Sequence, residues 1–491
     1  KNAFQIKLMP EDADPMDVRY NLIQWVHRST RGWSYGMSVT DPRTGEIIKG
    51  HVSLGSLRVR QDFLIAVGLL SPYESDHVPD TMMEMALARI RQLSAHEIGH
   101  TLGLTHNYSA SMDGRASVMD YPHPYITLKN GNLDFSEAYD TGIGEWDKVS
   151  ITYGYQDFAE GVDEDKALDE ILMAAIHDSG LSFISDQDAR PSGSAHPRAH
   201  LWDNGSNAAD ELVRVLEVRK YALDKFSENN IKKGDPIALL EESLAPVYFF
   251  HRYQTEAAVK TIGGLYYTYA VRGDGQPPTN WVPAEEQKKA LKAVLKTITP
   301  GTLALTEDLI ETIPPRPLGY WRDRETIKTR TGLTFDPVAA AETSADMTLA
   351  LLLRPERATR LVQHHALNES QPGLDFVLDE LIDATWKSKP LTGYYGEIRH
   401  AVNAVTLKNM MYIVTDNRAS EQARAITYSK IMELKSWAKK QMVITKNSNE
   451  KSALEFAIFQ IEKFENTPAD FKRVEPLSPP DGSPIGMDCE F

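Results

Sequence analysis

Residues 96–106 read His-Glu-Ile-Gly-His-Thr-Leu-Gly-Leu-Thr-His. His96 and His100 are four apart, so on a helix both imidazoles leave the same face and can reach one metal ion. Glu97 follows the first of them and can touch a water on that metal. Gly103 can adopt the left-handed backbone that ends a helix, which turns the chain and returns His106 as a third ligand. Three neutral imidazoles leave one tetrahedral position of a zinc ion (Zn2+) open, the pattern of a catalytic rather than a structural site. Packing alone explains the segment poorly, because three histidines and a glutamate make a poor apolar core. Ile98, Leu102 and Leu104 supply the apolar surface that buries such a helix.

The elements that must position these groups are legible on either side. Residues 80–102 carry apolar side chains at Met83, Ala86, Leu87, Ile90 and Leu93 and predict one helix with the motif at its C-terminal end. Upstream, residues 20–27, 33–40 and 46–56 are β-rich runs separated by Gly, Pro and Asp turn signals, with 41–45 as a hairpin loop between the second and third. Downstream come Ser117-Val118-Met119-Asp120-Tyr121-Pro122 and a helical stretch at 145–155 that ends in a Tyr-Gly pair.

The extended histidine motif followed by Met119 in a Ser-x-Met-x-Tyr setting resembles the metzincin clan of metallopeptidases. The resemblance implies that Met119 forms an adaptable thioether floor beneath the imidazoles. It also implies that the Tyr121 phenol lies near the metal and helps stabilise the transition state, as in astacin-like and serralysin-like members. A core tyrosine is the competing reading of Tyr121. Residues 145–155 look like the helix that closes a metzincin catalytic domain. The run His51-Val52-Ser53-Leu54-Gly55 stands where metzincins place the sheet edge above the cleft, to which a peptide could add as an extra strand. The implied activity is a zinc endopeptidase, with Glu97 as the general base that deprotonates the attacking water.

A more particular likeness is to large bacterial zinc-dependent metallopeptidases whose metzincin core precedes a long helical region. Asp17-Val18-Arg19-Tyr20-Asn21, Trp33-Ser34-Tyr35-Gly36, residues 41–50 and Arg58-Val59-Arg60-Gln61-Asp62 carry it. Asn107 departs from the better-known metzincins, which have Asp, Glu or Pro after the third histidine. That departure withholds their specificity from this chain. Three strand candidates stand where a metzincin upper subdomain has five, and Lys1 is not a starting methionine; the expectation is an internal fragment whose preceding part completes the sheet. A secreted, periplasmic or cell-envelope location is implied by this resemblance alone.

The expected fold class is α+β: a metzincin-like catalytic domain with a twisted mixed sheet and an active-site helix, then a mainly α-helical domain. Boundaries are expected at 1–158 for the peptidase domain, 159–206 for a connecting segment, 207–474 for the helical domain and 475–491 for an extended tail. Helical periodicity covers roughly 208–231, 236–262, 284–297, 336–366, 373–387, 419–442 and 449–464. The 491 residues suffice for two or more domains. A net charge of −16 argues against nucleic acid as a partner, and the resemblance implies a peptide or protein substrate. No apolar run approaches the ~20 residues of a transmembrane helix. The single cysteine, Cys489, permits no intrachain disulfide.

Other suggestive groups have plainer readings. His251, His364, His365 and His400 read as core or surface histidines, and Tyr266, Tyr267, Tyr269, Tyr394 and Tyr395 as packing. Asp186, Asp188 and Asp203 form a loose acidic group without the ordered spacing of a calcium loop. His123 could line the cleft. The alternative to an active peptidase is a latent or inactive zinc-containing peptide-binding or scaffold protein of the bacterial envelope, against which the intact Glu97 counts.

Overall fold

The computed structural model describes residues 5–27, 34–74, 79–468, 471 and 477–480. Trp33 and most of segment 475–491, Cys489 included, lie outside them. Strands β1 (Leu22–Val26), β2 (Tyr35–Thr40) and β3 (Ile47–Gly55) form a mixed sheet in the order β1-β3-β2. β3 runs parallel to β1, with Leu22 opposite His51 and Val26 opposite Gly55. It runs antiparallel to β2, with Tyr35 opposite Ser53 and Met37 opposite His51. The expectation for His51, Val52, Ser53, Leu54 and Gly55 is therefore corrected: they belong to the middle strand, in which His51, Val52 and Ser53 are paired on both sides and Leu54 and Gly55 with β1, so this strand is not the sheet edge. Burial explains the order, since Val52 and Leu54 are 2% and 6% exposed and pack on Leu93, whereas β2 leaves Met37 and Val39 half exposed. β2 is the edge nearest the histidine motif.

The chain passes from β3 into α1 (Ser56–Leu70) and α2 (Asp80–Thr101). α2 buries one stripe: Met82, Met85, Ala86, Arg89, Gln92, Leu93, His96 and Glu97. The stripe changes from apolar to polar as it enters the site. It is also offset from the expected apolar face, since Met83 and Leu87 are exposed. β2 crosses α2 so closely that a Cβ on Gly36 would stand 1.9 Å from the Glu97 carbonyl oxygen. Glycine is required there by contact rather than by conformation.

A hairpin of β4 (Thr127–Lys129) and β5 (Asn132–Asp134) precedes α3 (Glu145–Tyr155), α4 (Glu164–Met173) and the short α5 (Asp186–Ala189). Then follow α6 (Ala208–Lys225), α7 (Leu240–Tyr248), α8 (Arg252–Thr261), the hairpin β6 (Leu265–Tyr267) and β7 (Thr279–Trp281), and α9 (Ala284–Thr297). α10 (Pro300–Leu303), α11 (Glu307–Thr312), α12 (Pro337–Leu352), α13 (Pro355–Leu367), α14 (Leu374–Ala384), α15 (Gly393–Thr415), α16 (Glu421–Ile444) and α17 (Ser448–Asn466) complete the order. The helix expected over 236–262 is two, α7 and α8, and that over 336–366 is also two, α12 and α13. α1 and α15 are additional. One apolar cluster joins Ile65 and Val67 of α1, Met82 and Met85 of α2, Val215 and Val218 of α6 and Val247 of α7. A larger one links α6, α8, α9 and α12 to α17. Helices distant in sequence thus share a core with the helix that carries the motif. Among the described residues, no helix is long and apolar enough to cross a membrane.

Candidate metal centre

α2 ends in a glycine turn. The Gly103 N–H donates to the His100 carbonyl and the Leu104 N–H to the Gly99 carbonyl, with Gly103 at φ +84°. This pair of bonds satisfies the last helical carbonyls and turns the chain back. His106 consequently faces His96 and His100. The His100 Nε2 is 3.2 Å from the His96 Nε2 and 3.1 Å from the His106 Nε2. His96 and His106 are 3% exposed, and His100 is partly open.

Each ring has its other nitrogen engaged. The His96 Nδ1 lies 2.7 Å from the Val118 carbonyl oxygen and the His100 Nδ1 2.9 Å from that of Leu104. A carbonyl can only accept, so both Nδ1 atoms carry the proton and both Nε2 atoms present lone pairs. The His106 Nδ1 is 2.9 Å from a carboxylate oxygen of Asp186, which imposes the same tautomer. Three lone pairs face one another across about 3 Å, an arrangement that only a cation makes favourable. The separations suit one ion at Zn–N distances of about 2.0–2.1 Å. The residues therefore fit the metal.

The electrostatics agree. Burial holds His96 well below its ordinary pKa, with His100 and His106 adding to the effect. Burial and then His106 bring His100 down to about 4. His96 and His100 are thus neutral, as ligands must be. Burial pushes the Glu97 carboxyl up to about 8, against the opposing pull of Arg89 and of the Gly36 N–H.

Met119 lies under this cluster. A Cβ on Gly99 would stand 2.3 Å from the Met119 sulfur, so the thioether occupies the space that a larger residue at 99 would need. The loop before it is held by α3. Asp147, 2% exposed, accepts from the Ser117 hydroxyl at 2.5 Å and the Val118 N–H at 2.8 Å. The Ser117 oxygen accepts from the Met119 N–H at 2.9 Å. Val118 in turn offers its carbonyl to His96, so α3 reaches the metal ligands through one short loop.

Tyr121 is 3% exposed, with its ring centroid 4.8 Å from that of His106 and 5.3 Å from that of His96. Its hydroxyl accepts from Arg190 at 3.2 Å. Arg190 also donates to the Tyr108 hydroxyl at 2.9 Å and to Asp186. Burial works to raise the Asp186 carboxyl, but its bonds to His106 and Arg190 outweigh this and hold it below the usual carboxylate range.

The sequence reading missed Asp186, Arg190, Tyr108, Asp147, Gly36 and Gly99 as parts of the site. Gly99 alone carried a local signal, being a glycine inside a helix. The loose acidic group is not a shared site: Asp186 is on His106, Asp188 accepts from the Tyr267 and Tyr269 hydroxyls, and Asp203 is buried. His123 packs against Phe250. Among the described residues, the three histidines are the group of metal-ligating side chains close enough to hold one ion.

Sheet, helix, glycine turn and the packed Met119 together bring three histidines into a group that could hold one metal ion, as a metallopeptidase requires. A family model described as Met-zincin matches residues 79–393. The chain belongs to that family of zinc metallopeptidases, which act on proteins or peptides. No curated protein and no solved structure matches it.

Proposed function

We propose that this chain is a zinc-dependent endopeptidase whose ion is held by the Nε2 atoms of His96, His100 and His106. The observation that carries the reading is the convergence of those atoms with every Nδ1 already engaged. When bound, zinc supplies Lewis acidity for water and for the scissile carbonyl. Glu97, adjacent on the helix and ionised beside a bound cation despite its burial, takes the proton of the attacking water on a carboxylate oxygen and passes it to the departing amine. Its burial excludes bulk water from that transfer. Tyr121 presents its phenol beside His96 and His106 and assists at the oxyanion.

β2 is the edge that a substrate would join. Its inward residues Ser38 and Thr40 line a cavity of about 1380 Å³ that continues along Leu104 and Thr105, the residues leading into His106. A peptide paired with β2 would lay its backbone along this cavity without needing a free terminus, which supports cleavage at internal bonds. Aromatic residues from α3 and from the β6 region, including Trp146 and Tyr267, line the same cavity. We include these segments in the peptidase unit, which then extends beyond residue 158.

Metal removal tests the reading. Treating the chain with a chelator should abolish cleavage of a mixed peptide library, and one equivalent of zinc should restore it. Products should arise from internal bonds. Undiminished cleavage after complete metal removal would contradict the proposal.

A further inference from the structure

The third histidine gets its tautomer from a carboxylate about eighty residues further along the chain. The contacts of His96 and His100 are backbone carbonyls, of Val118 and Leu104, whereas the His106 Nδ1 is met by both oxygens of Asp186, at 2.9 and 3.1 Å. Asp186 is in turn held by Arg190 one helical turn later, and its other oxygen contacts, from Ser185 and Tyr108, are at 3.2 Å. Resting on the zinc reading above, we infer that Asp186 is a positioning residue of the metal centre, with Arg190 as the clamp joining it to Tyr108 and Tyr121. A carboxylate on Nδ1 does what a carbonyl cannot. It adds a negative charge behind the ring, which raises the basicity of Nε2 beyond what a neutral acceptor does.

The placement of Asp186 depends on two distant regions. On one side, segment 182–184 is bonded to the stretch that follows His106. Asn107 and Ser109 donate to the Ser182 carbonyl at 2.9 and 2.8 Å, and the Tyr108 N–H donates to the Ile184 carbonyl at 2.8 Å. On the other side, Asp188 accepts from Tyr267 and Tyr269, and the Tyr269 hydroxyl accepts from the Ser185 N–H at 3.1 Å. The β6 region therefore holds the segment that presents Asp186. Asn107, which departs from the better-known metzincins, has a role here: its side chain ties the third-histidine loop to this segment. The chain beyond residue 158 thus completes the proposed metal centre through Asp186, which the β6 region holds.

The test is the zinc affinity of the full-length chain, measured by competition with a chromophoric chelator, for wild type, Asp186→Asn and Asp188→Asn. Loss of an outer-shell partner typically costs about 10–100-fold in metal affinity. Asp186→Asn, which keeps shape but removes charge, should lose about tenfold or more, while the metal-free chain, though less stable for want of the Arg190 ion pair, keeps a cooperative urea transition and is fully folded in buffer. The visible absorption of the cobalt-substituted form should shift as well. Asp188→Asn keeps an amide oxygen that can accept from Tyr267 and Tyr269, leaves the Ser185–Tyr269 bond and Asp186 itself in place, and should bind zinc within about threefold of wild type. Equal affinity in Asp186→Asn and wild type would overturn the inference, as would an equal loss in Asp188→Asn. If wild type itself bound no zinc, the underlying reading would fail instead, so the two failures are distinguishable.

Discussion

His96, Glu97, His100 and His106 were legible because a single short segment contains the whole first ring of contacts, and helical geometry converts their spacing into direction. Asp186 and Arg190 were not, since no local rule links residue 106 to residue 186; only the path of the folded chain does. Met119 falls between these cases. Its neighbours announce it, but its partner is the absence of a side chain at Gly99. Replacing Gly99 by Ala would place a methyl group 2.3 Å from the Met119 sulfur. Overpacking of this kind costs about 1–3 kcal/mol. Urea unfolding of the metal-free chain should show that loss, and Met119→Ala in the same background should recover part of it. A Gly99→Ala chain as stable as wild type would mean that the floor is not packed as described.

At the level of elements, the motif helix, the three strands and the hairpin loop at 41–45 follow from periodicity and turn residues, and α3 from the resemblance of residues 145–155. Strand order does not. Nothing in residues 47–55 states whether one or two neighbours flank them, because pairing is decided by the burial of the whole sheet. α1 escaped notice because Phe63, Leu64, Ile65, Ala66 and Val67 form an apolar run without helical spacing, as expected of a helix covered on several sides. α15 starts at Gly393 and contains Gly396, signals that read as a loop. The turn ending α2 is the element on which the third ligand depends. Gly103→Ala must hold a Cβ at φ +84°, at a cost of about 1–2 kcal/mol. Unfolding of the metal-free chain should register that cost, and zinc affinity should fall with it while His96 and His100 remain in place. Unchanged stability would show that the turn can relax.

Over the whole molecule, the C-terminal helices do more than follow the motif domain: α6 and α7 share a core with α1 and α2. Buried ionisable groups in this region make stability depend on pH. His196 accepts from the Arg198 N–H on Nδ1 and donates from Nε2 to the Tyr267 carbonyl, so Nδ1 requires the neutral ring. Burial lowers its pKa to about 4, against about 6.5 in the unfolded chain. Between those values the unfolded state binds more protons, so the contribution is complete above pH 6.5 and is lost as the pH falls toward 4. Asn keeps an acceptor at the Nδ1 position but does not titrate. The stability difference between wild type and His196→Asn should therefore shrink by about 2 kcal/mol from pH 7.5 to pH 5, measured by urea unfolding at each pH. A constant difference would contradict the burial of a neutral ring.

The most direct test of the central claim compares zinc-loaded wild type with zinc-loaded Glu97→Gln, metal content and internal peptide cleavage being measured on the same samples. The carboxylate is assigned a proton-transfer role and no metal bond. Both proteins should therefore hold one zinc, while the rate in the variant falls by about 10²–10⁴, the range that a positioned general base provides. Equal zinc with an undiminished rate would remove Glu97 from the chemistry and with it the proposed mechanism.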